Sequence, residues 1–145
     1  MDTTGETRRV AELVRGLGPR DAVLFYPEGT RFTEAKRARL LEKLRAAEDP
    51  AAEEVESLTH VLPPRRGGSL AVLQGAPEAD VVLAANVGFE WATSLSHLWR
   101  GDLVEKTIRL SVRRVPAGEV PRDDEGCRTW LQDEWRAMNE WVRTR

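Results

Sequence analysis

Apolar and polar positions alternate along this chain with two different periods. Val10, Leu13, Val14 and Leu17 recur at helical spacing behind Thr3-x-x-Glu6, a pattern in which hydroxyl and carboxylate cap each other's backbone N–H groups. Gly16, Gly18 and Pro19 end that helix. Residues 22–26 form an unbroken apolar run of strand length, expected as a buried strand. Pro27 stops its ladder because proline has no N–H to donate. Thr33 is placed to cap a second helix over residues 33–48, rich in strong helix formers. Its stripe of Ala38, Leu41 and Leu44 is narrow, which predicts a solvated surface helix. Asp49-Pro50 closes it, and residues 51–58 add a further helical turn.

The second half continues the alternation. Leu62-Pro63-Pro64-Arg65-Arg66-Gly67-Gly68 reads as a loop, and residues 69–74 as a short helix with Ser69 as its cap. A second buried strand is expected over residues 79–89, with irregular or hairpin-like chain over 91–102. Residues 106–115 alternate with period two: Ile108, Leu110 and Val112 on one face, Arg109, Ser111 and Arg113 on the other. That predicts a half-exposed strand at a sheet edge. Pro116 and Pro121 mark a turn, and a last helix spans residues 123–142. Its stripe of Cys127, Trp130, Leu131, Trp135, Met138 and Trp141 reads as a core face, with an interfacial membrane helix as the rival reading. Its polar face is as acidic as it is basic, which favours the core. Strands separated by helices predict an α/β fold, a mixed sheet flanked by helices with connections long enough for parallel crossovers. Three strands are few for a complete sheet.

Composition narrows the classes. The chain has 145 residues, 41% hydrophobic and 32% charged, enough for a globular domain with a core. A net charge of −2 argues against a nucleic-acid partner. The single Cys127 forms no internal disulfide, which fits a reducing, cytoplasmic compartment. No run approaches the roughly 18 apolar residues of a membrane span. Work on lipid would therefore place the chain peripherally on a membrane surface. His60, His97 and Cys127 are too scattered to form a metal-ligand cluster, so no metal is expected.

The sharpest chemical signal is Phe25-Tyr26-Pro27-Glu28-Gly29-Thr30-Arg31-Phe32-Thr33. A tight turn after an apolar run leads to a helix N-terminus. Gly29 permits close backbone approach, and Thr30, Arg31 and Thr33 supply the hydroxyl, guanidinium and amide donors that hold a phosphate. Glu28 could pin the arginine or accept bonds from substrate hydroxyls. On residues alone, a surface turn with a Glu–Arg pair stays equally open.

The block resembles the F-P-E-G-T-R motif of the glycerophospholipid acyltransferase family, in the branch that acylates lysophosphatidic acid, with Tyr26 in place of the usual Phe. Further on, 62–68 is similar to the family's L-P-R-T-x-G segment, matching at Pro64, Arg65 and Gly68. Residues 81–87 fall at its last strand without the proline often found there, and Val112-Arg113-Arg114-Val115-Pro116 and Trp130-Leu131 match the same branch. The likeness is strongest over residues 23–141. It implies a partial glycerol-phosphate-acyltransferase-like domain, incomplete at its N-terminal side and filling residues 1–145 as one unit. It implies transfer of a fatty acyl group from acyl-CoA or acyl carrier protein to a lysophospholipid or glycerol-phosphate hydroxyl, with no cofactor beyond that co-substrate. Glu28, Gly29, Thr30, Arg31 and Arg65 become acceptor-binding residues by the same resemblance.

The family's catalytic His-x4-Asp belongs ahead of this block, where the histidine takes the proton of the attacking hydroxyl and the aspartate orients it. No histidine precedes residue 28. His97 and Asp102 have the right spacing but follow the block, in the wrong chain order, and read as a decoy in a loop. His60 reads as a loop histidine. Arg65-Arg66 with Arg113-Arg114 form either a basic surface for phospholipid headgroups and coenzyme A or ordinary solvated charge. Three functional readings follow: an acyltransferase whose base lies outside this chain, a degenerate phosphate- or lipid-binding domain, and a piece completed by a partner chain or a missing N-terminal segment.

Overall fold

The computed structural model describes residues 3–89, 99–100 and 104–145. In order these form α1 (Thr3–Arg15), α2 (Glu34–Ala46), α3 (Ala51–Ser57), α4 (Arg66–Gly75), β1 (Val81–Val87), β2 (Arg109–Val115), a short 3-10 turn (Ala117–Glu119) and α5 (Asp124–Arg143).

Helix α5 organises the interior. Asp123 caps it by accepting from the Gly126 N–H, and the expected stripe turns inward. Cys127, Leu131 and Trp135 join Leu58, Val61, Leu73, Val115 and Val120 in one cluster, flanked by Leu70, Val81, Leu83, Trp130 and Met138. Burying each large apolar side chain there contributes about 1.5–3 kcal/mol. Asn139, one turn beyond Trp135, is buried too. Its side-chain oxygen accepts from the Thr59 and His60 N–H groups at 2.9 and 2.8 Å, pinning the α3–α4 connection to α5. Arg122 serves a similar end, donating to the carbonyls of Leu73, Ala79 and Ala117. Helix α1 lies along α4, where Gly75 lets the Val14 side chain approach too closely for any β-carbon.

Helix α2 buries no residue, as its narrow stripe predicts, and Thr33 caps it by accepting from the Lys36 N–H. It is fastened by Arg37, whose guanidinium donates to the carbonyls of Leu58 and Glu56.

The sheet differs from expectation. Among the described residues it has two strands, β1 and β2, and they run antiparallel, with Val81 opposite Val115 and Val87 opposite Arg109. The mixed α/β class therefore stands, while the parallel crossovers do not. Residues 22–26 are not a buried strand: they carry no strand assignment and all five are exposed, Leu24 at 82%. A run of apolar side chains sets strand propensity, but a ladder needs a neighbour for its N–H and C=O groups. Likewise β1 is half-buried rather than buried, alternating along its length. In β2 the apolar set faces outward. Val115 is packed in the core, so with a period of two Ser111 and Arg113 share its side, and Leu110 and Val112 are each left 68% exposed.

Two boundaries move as well. Helix α4 begins at Arg66, so the expected loop ends three residues early. Ser69 lies inside the first turn and its hydroxyl donates to the Arg65 carbonyl instead of capping. Of the 91–102 segment, only Trp99 and Arg100 are described, and Trp99 is 91% exposed. No described helix is long and apolar enough to cross a membrane.

Candidate functional site

The block 26–33 folds around one tight turn. The Gly29 N–H donates to the Tyr26 carbonyl at 2.9 Å, with Pro27 and Gly29 at turn places that favour them. Gly29 has φ +67°, a conformation that side chains with a β-carbon disfavour.

A second strand of chain is laid against this turn by two hydrogen bonds. Between residues 62 and 65 the prolines remove two of four backbone donors. Both remaining donors go to the turn: Leu62 N–H to the Glu28 carboxylate at 3.1 Å, and Arg65 N–H to the Pro27 carbonyl at 2.8 Å. The Arg65 side chain then lies directly over Gly29. A β-carbon built there would sit 2.6 Å from Arg65 Nε and 2.7 Å from Cζ. Gly29 thus serves twice, for its backbone angle and for the room it leaves the guanidinium. The structure brings Glu28, Gly29 and Arg65 together although Arg65 is thirty-six residues further along the chain than Gly29.

Glu28 is half-buried, and its carboxyl faces inward rather than toward solvent. Burial raises its pKa above the ordinary 4.5, against the smaller lowering influence of the Leu62 N–H and the Trp135 indole. That indole falls short of hydrogen-bond geometry, and Trp135 Nε1 is a buried donor with no partner. Glu28 therefore acts as a bracket for the 62–65 segment.

Thr30 and Arg31 follow the turn and are exposed. Lys36 reaches back to them from the first turn of α2: its Nζ donates to Thr30 Oγ1 at 2.5 Å and to the Arg31 carbonyl at 3.0 Å. Sequence reasoning missed Lys36. A signal was there, since a cation in the first turn of a helix opposes the macrodipole and asks for another explanation. Two cationic side chains, Lys36 and Arg65, thus reach the turn, and Arg31 follows it directly in the chain. The α4 terminus has no side-chain cap, so its first N–H groups are orphan donors.

The other arginines of the proposed basic surface are different. Arg66 pairs with Glu54, Arg113 with Glu134 and Arg114 with Asp80. Their charge is ordinary paired surface charge, and Arg65 alone of the four joins the turn. His60 lies exposed beside Asn139, its Nδ1 within 2.8 Å of the Thr59 hydroxyl. His97 and Asp102 fall outside the described residues. Among the described residues no cluster of three or more His, Cys, Asp or Glu could hold a metal ion.

The chain is similar to lysocardiolipin acyltransferase 1 of Mus musculus, 30% identical over 127 residues that make 84% of this chain and 32% of that protein. It is 28% identical over 125 residues to 1-acyl-sn-glycerol-3-phosphate acyltransferase delta of Homo sapiens, covering 83% of this chain and 32% of that protein. The chain belongs to the glycerophospholipid acyltransferase family. It spans about a third of the length of these curated acyltransferases. No protein-family model matches the chain, and no solved structure matches it. The acyltransferase resemblance in the 26–31 and 62–68 segments thus falls on stretches that the fold lays against each other.

Proposed function

We propose that this chain is the acceptor-binding part of an acyltransferase that moves a fatty acyl group from acyl-CoA or acyl carrier protein to the hydroxyl of a lysophospholipid or glycerol phosphate. The observation that carries it is the seating of Arg65 over Gly29, the residue that precedes Thr30 and Arg31 in the chain. That seating supports an anion pocket rather than a surface turn. In this reading the acceptor's phosphate lies against Arg31, Arg65, the Thr30 hydroxyl and backbone amides, each a charge-assisted or amide donor. Glu28 holds the 62–65 segment in place so that Arg65 reaches the pocket. The base that takes the acceptor's proton comes from outside these residues, supplied by an N-terminal segment or a partner chain. Support for such a neighbour comes from the exposed apolar residues Val23, Leu24 and Tyr26 and from the outward face of β2. The chain then works peripherally at a membrane, where its lipid substrates reside.

The test is an assay of coenzyme A release from acyl-CoA with lysophosphatidate, run beside thermal unfolding of the same mixture. The chain is expected to release no thiol, while lysophosphatidate below its micellar threshold raises the unfolding temperature. Gly29→Ala, which displaces Arg65, is expected to abolish that rise. Turnover that survives His97→Ala would show a base within the chain and contradict this division of labour. A rise that persists in Gly29→Ala would remove Arg65 from the pocket.

A further inference from the structure

Lys36 is the cation whose position needs explaining. It stands in the first turn of α2, where the helix macrodipole disfavours positive charge. Among the described residues it makes no ion pair with a carboxylate; both of its hydrogen bonds go to neutral oxygens, Thr30 Oγ1 and the Arg31 carbonyl. A hydroxyl has one proton and two lone pairs. When Thr30 Oγ1 accepts from an ammonium group, its own O–H is left to donate elsewhere, and the charged donor strengthens it. The Arg31 carbonyl, an acceptor that would repel a nearby anion, is covered by the same ammonium group.

We infer that Lys36 is a positioning residue of the phosphate pocket: it leaves the Thr30 hydroxyl free to donate and covers the Arg31 carbonyl. The inference rests on the acceptor-site reading above and concerns how that site selects an anion. Lys36 acts through Thr30 and Arg31. Its ammonium group occupies one lone pair of the Thr30 hydroxyl and the Arg31 carbonyl, so that an arriving phosphate meets the Thr30 O–H as a donor and is not repelled by that carbonyl.

The test is calorimetric titration of the 145-residue chain with glycerol 3-phosphate, for the unsubstituted chain, Lys36→Met, Lys36→Arg, Thr30→Val and the Lys36→Met/Thr30→Val double variant. Lys36→Met is expected to weaken binding about tenfold, the loss typical of a charge-assisted contact. Lys36→Arg restores it, because a guanidinium can donate to the same two oxygens. Thr30→Val also weakens binding, and the double variant is no weaker than the worse single one, since both remove one coupled arrangement. All variants melt with the unsubstituted chain when no anion is present. Undiminished binding in Lys36→Met overturns the inference and leaves the acceptor site standing. Losses that multiply in the double variant make Lys36 a remote charge and overturn its positioning role. No binding by the unsubstituted chain removes the acceptor site itself, and this inference with it.

Discussion

At the scale of single residues, the site is a problem in placing donors and hiding acceptors. Gly29 gives the turn its left-handed backbone and leaves space above it; Arg65 fills that space. Glu28 is the one carboxylate in the block, and it is turned to the interior, where it accepts from Leu62 instead of projecting into the anion's path. Burial makes the folded chain hold the Glu28 proton more tightly than the ordinary 4.5 implies. Between that value and the raised one, the folded state binds more protons than the unfolded state. Glu28 therefore contributes a loss of stability as pH rises through this window. Glu28→Gln removes that contribution while keeping an oxygen for the Leu62 N–H. Urea unfolding of both chains across the weakly acid range should show the unsubstituted midpoint falling relative to the variant as pH rises. Parallel midpoints would mean that Glu28 is solvated in the folded state.

At the scale of elements, one helix links the core to the segment that meets the turn. Helix α5 supplies Cys127, Leu131 and Trp135 to the core, and Asn139 to the connection that leads into the Leu62–Arg65 segment. Asn139→Leu leaves the Thr59 and His60 N–H groups without their acceptor, an expected loss of about 2 kcal/mol. A fall in the denaturation midpoint at unchanged m-value would show it, and an unchanged midpoint would mean that water replaces the amide. The last helix and its inward stripe were legible in the sequence because a 3.6-residue period over twenty residues has few other solutions. Helix α2 was legible from Thr33 and its plain polarity. The strands were harder to read. Apolar content at 22–26 announces a strand, but pairing is a property of two segments, and no described strand lies beside it. In β2 the alternation was visible and its direction was not, since Val115 alone decides which side meets the core. In the site, the turn could be read locally. The contact of Arg65 with Gly29 depends on two hydrogen bonds across a gap in sequence, and family resemblance rather than spacing pointed to it. Lys36 was not legible from the motif because it lies three residues past Thr33, outside the motif that carries the resemblance.

At the scale of the whole molecule, charge and apolar surface are distributed unevenly. A net charge of −2 does not preclude a local concentration of Arg31, Lys36 and Arg65 at the turn, while Arg45, Arg66, Arg113 and Arg114 are each paired with a carboxylate. Leu24, Tyr26, Leu110 and Val112 are large apolar side chains left exposed. The stretch shared with the curated acyltransferases is about a third of their length. Binding and proton transfer are on this account separable, with the phosphate held here and the hydroxyl activated elsewhere. The most direct measurement is titration with glycerol 3-phosphate of the unsubstituted chain and Arg31→Ala. The account predicts saturable binding, falling with added salt, and weakened at least about tenfold by the substitution. Binding that Arg31→Ala leaves untouched, or none at millimolar ligand, would contradict it.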